Sequence, residues 1–170
     1  MKYFFYCVAF LLASQFVNAQ ADKVFLHNGK VLEVKVLRVG EQLLFKYPKE
    51  DVENSISKFA VSKVLYSSGR EESITDKITV TSEKDFENVI ILQKGTSLTG
   101  LKRLGDVKGK AMGTALANMN KVKTRAENEI KKEAAKMGGV FLLLDNYQVT
   151  DSQPSIAYGK TNITGTAYSY

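Results

Sequence analysis

Residues that carry most enzyme mechanisms are scarce in this chain of 170 residues, which has one cysteine, one histidine and no tryptophan. A single cysteine, Cys7, cannot form a disulfide within the chain. A zinc site built from cysteine and histidine needs three or four such ligands, and the chain does not supply them. Histidine is the usual base in nucleophilic catalysis, and His27 lies at a predicted turn. We therefore expect no enzymatic activity and no cofactor.

The first 19 residues have the pattern of a secretory signal peptide. Lys2 precedes an apolar run at 3–13, and small residues lead up to Ala19 and Gln20. The run is shorter than the ~20 residues that a membrane-spanning helix needs. Cys7 lies too early in the run to be the lipid-bearing first residue of a mature lipoprotein. We predict cleavage between Ala19 and Gln20, no transmembrane segment, and a periplasmic or secreted protein.

The chain carries a modest excess of positive charge, with a net charge of +6. Such an excess favours contact with anionic surfaces or acidic partners, and it equally favours solubility alone. Both interpretations stay open at this point. Nucleic acid is not an expected partner, because the protein is predicted to be exported.

Residues 20–75 are predicted to form a small all-β domain, either SH3-like or a curled sheet. Short alternating apolar runs, such as residues 31–39, are separated by turn signals. Asn28 and Gly29 lie between two of these runs, which is a strong hairpin signal with positive φ expected at both residues. Modules of this kind mostly bind peptides, glycans or neighbouring domains.

The remainder of the chain predicts an α+β domain behind a polar connection. Residues 76–88 are acidic and polar around a short predicted strand at 78–81, and we interpret them as a linker. Residues 89–170 have the order strand, strand, helix, long strand, long strand. This order predicts one helix packed on a small mixed sheet.

The predicted helix covers residues 118–137. Apolar residues recur along it at steps of three and four, and Gly138 supplies a left-handed stop. At ~100° per residue, a basic stripe lies opposite the apolar one. The stripe comprises Lys121, Arg125, Lys132 and Lys136. We predict either a docking face for an acidic partner or anionic membrane surface, or an ordinary solvated face.

Calcium is the metal most compatible with this composition, because it needs only oxygen ligands. Glu50, Asp51 and Glu53 do not have EF-hand spacing, and Asp145 and Asn146 form an isolated pair. We interpret both groups as solvated loops and predict no metal site.

Four segments of the second half carry a family resemblance. They are LGDVKG at 104–109, AAKM at 134–137, the apolar run at 140–150 and ITGTA at 163–167. Together they resemble the globular domain of the RcsF-type envelope stress-sensing lipoproteins of Gram-negative bacteria. More distantly, the layout is similar to YbjQ-type domains described as heavy-metal-binding. The resemblance covers residues 89–168, about half of the mature chain.

The resemblance implies a fold and a non-catalytic, protein-contacting role in the envelope. The family's four cysteines and its lipid anchor are not matched here, so no redox role is implied. In the alignment, the cysteine positions fall at Met112, Tyr147, Ile156 and Asn162.

Taken together, these patterns predict an exported, non-enzymatic interaction protein of the bacterial envelope, with a role in stress sensing or signalling through protein contacts. The alternative is an oligomeric module that binds a small ligand or a divalent metal.

Overall fold

The computed structural model describes residues 21–114, 118–150 and 158–170, so the predicted cleavage site at Ala19 and Gln20 lies outside the described residues. The chain is a mixed α+β protein, which confirms the predicted class. The strands are β1 (Asp22–Leu26), β2 (Val31–Arg38), β3 (Gln42–Lys46), β4 (Asn54–Ser57), β5 (Val61–Leu65), β6 (Glu71–Ser73), β7 (Ile90–Leu92), β8 (Lys102–Thr114), β9 (Phe141–Thr150) and β10 (Tyr158–Ser169). The α-helix is α1 (Met119–Lys136), and two 3-10 segments cover Lys58–Ala60 and Glu83–Asn88.

Six strands form the first sheet, which is antiparallel with the order β4-β3-β2-β1-β5-β6. Strand β2 is shared: residues 31–34 pair with β1, and the rest pairs with β3. The register shifts between Val36 and Arg38, and a shift of this kind bends a strand. The sheet therefore curls around its own apolar core, as predicted. That core contains Val24, Leu26, Val34, Leu43, Phe45, Ile56, Ala60, Val61 and Val64.

The predicted hairpin between β1 and β2 forms, but its turn differs from the prediction. The Leu26 N–H donates to the Lys30 carbonyl at 2.9 Å across a loop of residues 27–30. Gly29 has a φ of +87°, whereas Asn28 keeps a negative φ. The Asn28 Oδ1 accepts from the Lys30 N–H at 3.0 Å, a local contact that supports the turn without a left-handed backbone. The prediction of two positive φ angles was wrong, because the loop is longer than two residues.

The second sheet has the order β7-β9-β10-β8 and carries α1 on one face. Strands β7 and β9 are parallel, and the other pairs are antiparallel. The order strand, strand, helix, strand, strand matches the prediction. The helix buries Val122, Ala126, Ile130, Ala134 and Ala135, and the last four belong to the core of this sheet.

The helix ends match their sequence signals. The Asn118 side chain caps the first turn by accepting from the Asn120 N–H at 2.9 Å. At the other end, Gly138 has a φ of +72°, a conformation that glycine adopts without a Cβ penalty. Within the described residues, no helix is long and apolar enough to cross a membrane.

The segment between the two sheets differs from the short strand predicted at 78–81. Residues 74–82 are in no strand. The Ile78 N–H donates to the Tyr170 hydroxyl at 3.0 Å instead of to a strand ladder. Val80 is buried in the core of the second sheet. The alternating pattern that suggested a strand therefore reflects docking of an extended segment onto that core.

Candidate binding cleft

Four aromatic rings bring the two sheets into contact. Phe59, in the 3-10 turn after β4, lies 5.3 Å from the ring of Phe141 on β9. The Tyr170 ring lies 5.4 Å from Phe141, edge to face, and 4.6 Å from His27. Ring pairs at these distances attract each other beyond the effect of area burial. We refer to His27, Phe59, Phe141 and Tyr170 as the aromatic junction.

A loop before β8 makes a second contact between the two sheets. The Ser57 N–H donates to the Thr99 carbonyl at 3.0 Å. Gly100 packs so tightly that an added Cβ would lie 2.7 Å from the Ile56 side chain. Leu101 packs against the cores of both sheets. The loop therefore holds the two sheets together and forms one wall of the space between them.

His27 is buried in the aromatic junction, whereas the sequence suggested an ordinary polar ring at a turn. Its side chain is 7% exposed, and its Nε2 lies 2.9 Å from the Thr75 Oγ1. The Thr75 hydroxyl donates to the Val61 carbonyl at 2.7 Å, so its oxygen accepts from a protonated Nε2. Burial lowers the pKa of His27, and the Lys77 charge lowers it further, against the opposing effect of Asp76.

This lowered pKa predicts that the protein loses stability as the pH falls below 6.5, the ordinary value for histidine. In that range the unfolded chain binds a proton that the folded His27 resists, so unfolding becomes more favourable. We expect His27→Gln to flatten the dependence of the free energy of unfolding on pH between about 7.5 and 5. Urea unfolding across this range measures the effect.

The acidic groups with lowered pKa values affect the stability of the protein in a lower pH range than His27 does. Hydrogen bonds from Thr81 lower the pKa of Asp85, and a hydrogen bond from Thr166 lowers that of Asp106. Their contribution to stability is lost only as the pH falls below 3.8. An identical slope in wild type and His27→Gln above pH 5 would therefore contradict the buried position of His27.

A cleft of about 590 Å³ opens beside the aromatic junction. Its walls come from the β1–β2 hairpin, β3, β4, the loop before β8 and Tyr170. The apolar part of the lining consists of Leu26, Leu32, Phe45, Ile56 and Leu101. The Tyr47 ring stands edge to face on Phe45 at 5.4 Å and is 38% exposed.

Positive charge marks the cleft. Both charged side chains among its described lining residues are lysines, Lys30 and Lys102. Asn28, Asn54 and Thr99 add neutral polar groups. The cleft therefore combines an apolar wall, an exposed aromatic ring and a cationic rim, which suits a ligand with an apolar part and an anionic group.

The basic stripe predicted on α1 is partly neutralised. The Lys132 Nζ lies 2.9 Å from Glu129 Oε1, and the Lys136 Nζ lies 2.7 Å from Glu133 Oε1 and 3.8 Å from Glu83 Oε2. The hydrogen bonds that Lys132 and Lys136 donate to Glu129 and Glu133 raise the pKa values of the two lysines. The C-terminal half of the stripe is thus occupied by neighbouring acids.

The other two residues of the stripe are exposed on the N-terminal half of α1. Lys121 and Arg125 have no ion pair within the part of the chain that the structure describes. They lie on the helix and do not line the cleft. The loop residues Glu50, Asp51 and Glu53 are exposed. Across the described ranges, no group of three or more histidine, cysteine or acidic side chains could hold a metal ion.

Sequence reasoning missed the cleft because its walls come from distant segments. In the sequence, Asn28 is a turn signal and does not indicate a cleft. Glycine in an extended run indicates a bulge or a close backbone approach, and Gly100 makes such an approach to Ile56 with a φ of +89°. Nothing in the pattern around Tyr170 or Phe59 indicated that these rings meet.

Comparison with known proteins identified no relative. A scan against protein-family models, a search of curated proteins and a search of solved structures each found no significant match. The resemblance of residues 89–168 to the RcsF-type domain therefore stays a prediction.

Proposed function

We propose that this protein is an exported, non-enzymatic interaction protein of the bacterial envelope and that it binds a segment of a partner protein in the cleft. The observation that carries the proposal is the combination of an apolar wall, the exposed Tyr47 ring and a rim whose charged side chains, among the described lining residues, are Lys30 and Lys102. The volume of the cleft lies within the range of roughly 300–1,000 Å³ that is typical of ligand pockets. A role in stress sensing draws its support from the RcsF-type resemblance.

The lining suggests the chemistry of the bound segment. Lys30 and Lys102 attract a carboxylate, from an acidic side chain or a chain end. The Phe45 and Leu101 side chains accept an apolar neighbour. Neutral groups such as Thr99 can hydrogen-bond to its backbone. The proposed segment is therefore short and carries an apolar residue beside an anionic one.

Site-specific photocrosslinking in intact cells tests this proposal. A photoreactive phenylalanine analogue replaces Tyr47 in the cleft or, as a control, the exposed Thr124 on α1. We expect one defined protein adduct from position 47 and none from position 124. Equal labelling from both positions, or no adduct from position 47, would contradict the proposal.

Charge reversal in the cleft gives a matched comparison. We expect the pair Lys30→Glu and Lys102→Glu to lower the yield of that adduct about tenfold, because the two reversed charges repel the anionic group of the segment. The pair Lys121→Glu and Arg125→Glu makes the same change in net charge on the helix. This control is expected to leave the yield unchanged.

A small anionic molecule with an apolar body is the second candidate ligand, because the volume of the cleft suits it equally well. Native mass spectrometry of protein purified under gentle conditions distinguishes the two. A bound small molecule that Lys30→Glu removes, without any protein adduct at position 47, favours the second candidate.

A further inference from the structure

A face of the second sheet is exposed on the side away from α1. Gly109 packs against Ala126 and Ile130 of the helix. Successive side chains of a strand point to opposite faces, so Lys108 and Lys110 point away from the helix, and both are exposed. Helix α1 therefore packs on one face of β8, and Lys108 and Lys110 lie on the opposite, exposed face.

Three lysines and a methionine lie together on this face. Register places Met112 opposite Lys160, Lys110 opposite Asn162 and Lys108 opposite Thr164. Strands lie about 4.8 Å apart, and side chains two residues apart lie about 7 Å apart. The side chain of Met112 is 63% exposed. We refer to Lys108, Lys110, Met112 and Lys160 as the basic sheet patch.

The acids on this face lie towards the aromatic junction. Asp106 is paired with Arg103 and accepts from the Thr166 hydroxyl at 3.0 Å. Asp145 lies 3.4 Å from the same hydroxyl. Asp106 attracts the Lys108 charge, but the described residues supply no ion pair to Lys108, Lys110 or Lys160. Among the residues that the structure describes, the charges of Lys110 and Lys160 beside Met112 are therefore uncompensated.

We infer that the basic sheet patch binds the headgroups of anionic lipids at a membrane surface. Lysines near such a surface attract the protein to it. An exposed apolar side chain among them can enter the boundary between headgroups and acyl chains. An acidic peptide would use Lys108, Lys110 and Lys160 but would leave Met112 in water, so the methionine favours the membrane. The inference does not depend on the cleft.

Vesicle co-sedimentation of the protein without its signal segment tests the inference. We expect binding to vesicles of phosphatidylglycerol and phosphatidylcholine, weakened by salt, and no binding to phosphatidylcholine alone. The triple variant Lys108→Gln, Lys110→Gln and Lys160→Gln should lower the partition coefficient about a hundredfold. Binding to both kinds of vesicle alike would overturn the inference.

A matched triple variant on α1 controls for net charge. Lys121→Gln, Lys123→Gln and Arg125→Gln remove the same number of positive charges, and we expect the partition coefficient to fall less than about threefold. An equal loss in both triple variants would overturn the inference, because the attraction would then come from overall charge.

A variant of Met112 distinguishes binding to a membrane from binding to an acidic protein surface. We expect Met112→Ser, which keeps every charge, to lower vesicle binding about fivefold. Because Met112 is exposed, this single variant should fold normally, and it still tests the inference if the triple variant folds poorly. Unchanged vesicle binding by Met112→Ser, or equally tight binding of wild type to a polyglutamate peptide, would overturn the inference.

Discussion

Replacing Gly109 with alanine is expected to lower the free energy of unfolding by about 3 kcal/mol. Helix α1 lies directly on β8 at this glycine. An added Cβ would overlap the Ala126 carbonyl oxygen and would lie 2.7 Å from the Ile130 Cβ and 2.8 Å from its backbone nitrogen. Two of these three neighbours are backbone atoms of a helix, which cannot yield as a flexible side chain does. The helix must therefore move off the sheet.

A second glycine provides the control for this prediction. At Gly40 the nearest atom to an added Cβ is the Gln42 carbonyl oxygen at 3.8 Å. We expect Gly40→Ala to change the free energy of unfolding by less than about 0.5 kcal/mol. Equilibrium urea unfolding compares the two variants, and similar small losses in both would contradict the close packing of α1 on β8.

Replacing Phe141 with alanine is expected to cost about 4 kcal/mol. Its side chain is 1% exposed, and its ring contacts both Phe59 and Tyr170. The change leaves a cavity in the core of the second sheet and also removes the central ring of the aromatic junction. We therefore expect a second effect, a rise of the His27 pKa towards 6.5 as the junction admits water.

Phe25 is a matched phenylalanine outside the aromatic junction. It is half-buried on β1, with the Lys63 ammonium 5.2 Å from its ring centre. We expect Phe25→Ala to cost about 1–2 kcal/mol and to leave the His27 pKa unchanged. Urea unfolding and NMR titration of His27 measure the two effects. A His27 pKa that stays the same in Phe141→Ala would contradict the role of Phe141 in the junction.

Local signals were sufficient to predict the helix and most strands. The spacing of Val122, Ala126 and Ile130 determines which face of α1 is buried, and Gly138 determines where the helix ends. Both depend on residues within a few positions of each other. Glycine within a strand indicates either a bulge or a close backbone approach, and Gly109 of β8 makes a close approach to α1.

Contacts between distant segments could not be predicted in the same way. His27 and Tyr170 are separated by almost the whole described chain, and no periodicity connects them. Lys136 pairs with Glu133 on its own helix and also contacts Glu83, which lies in a separate 3-10 segment. The residues at 78–81 alternate as a strand does, but the Ile78 N–H donates to a tyrosine hydroxyl. The contacts of Glu83 and Tyr170 come from segments that only the folded chain brings together.

Docking of the two sheets is the claim on which the cleft depends, and His27 gives a direct measurement of it. As the only histidine in the chain, it has ring signals that need no further assignment in an NMR spectrum. We predict nuclear Overhauser effects between the rings of His27 and Tyr170, together with a His27 pKa below 6.5. A His27 that titrates at 6.5 or above and shows no contact with Tyr170 would mean that the sheets are not docked and that the cleft does not form.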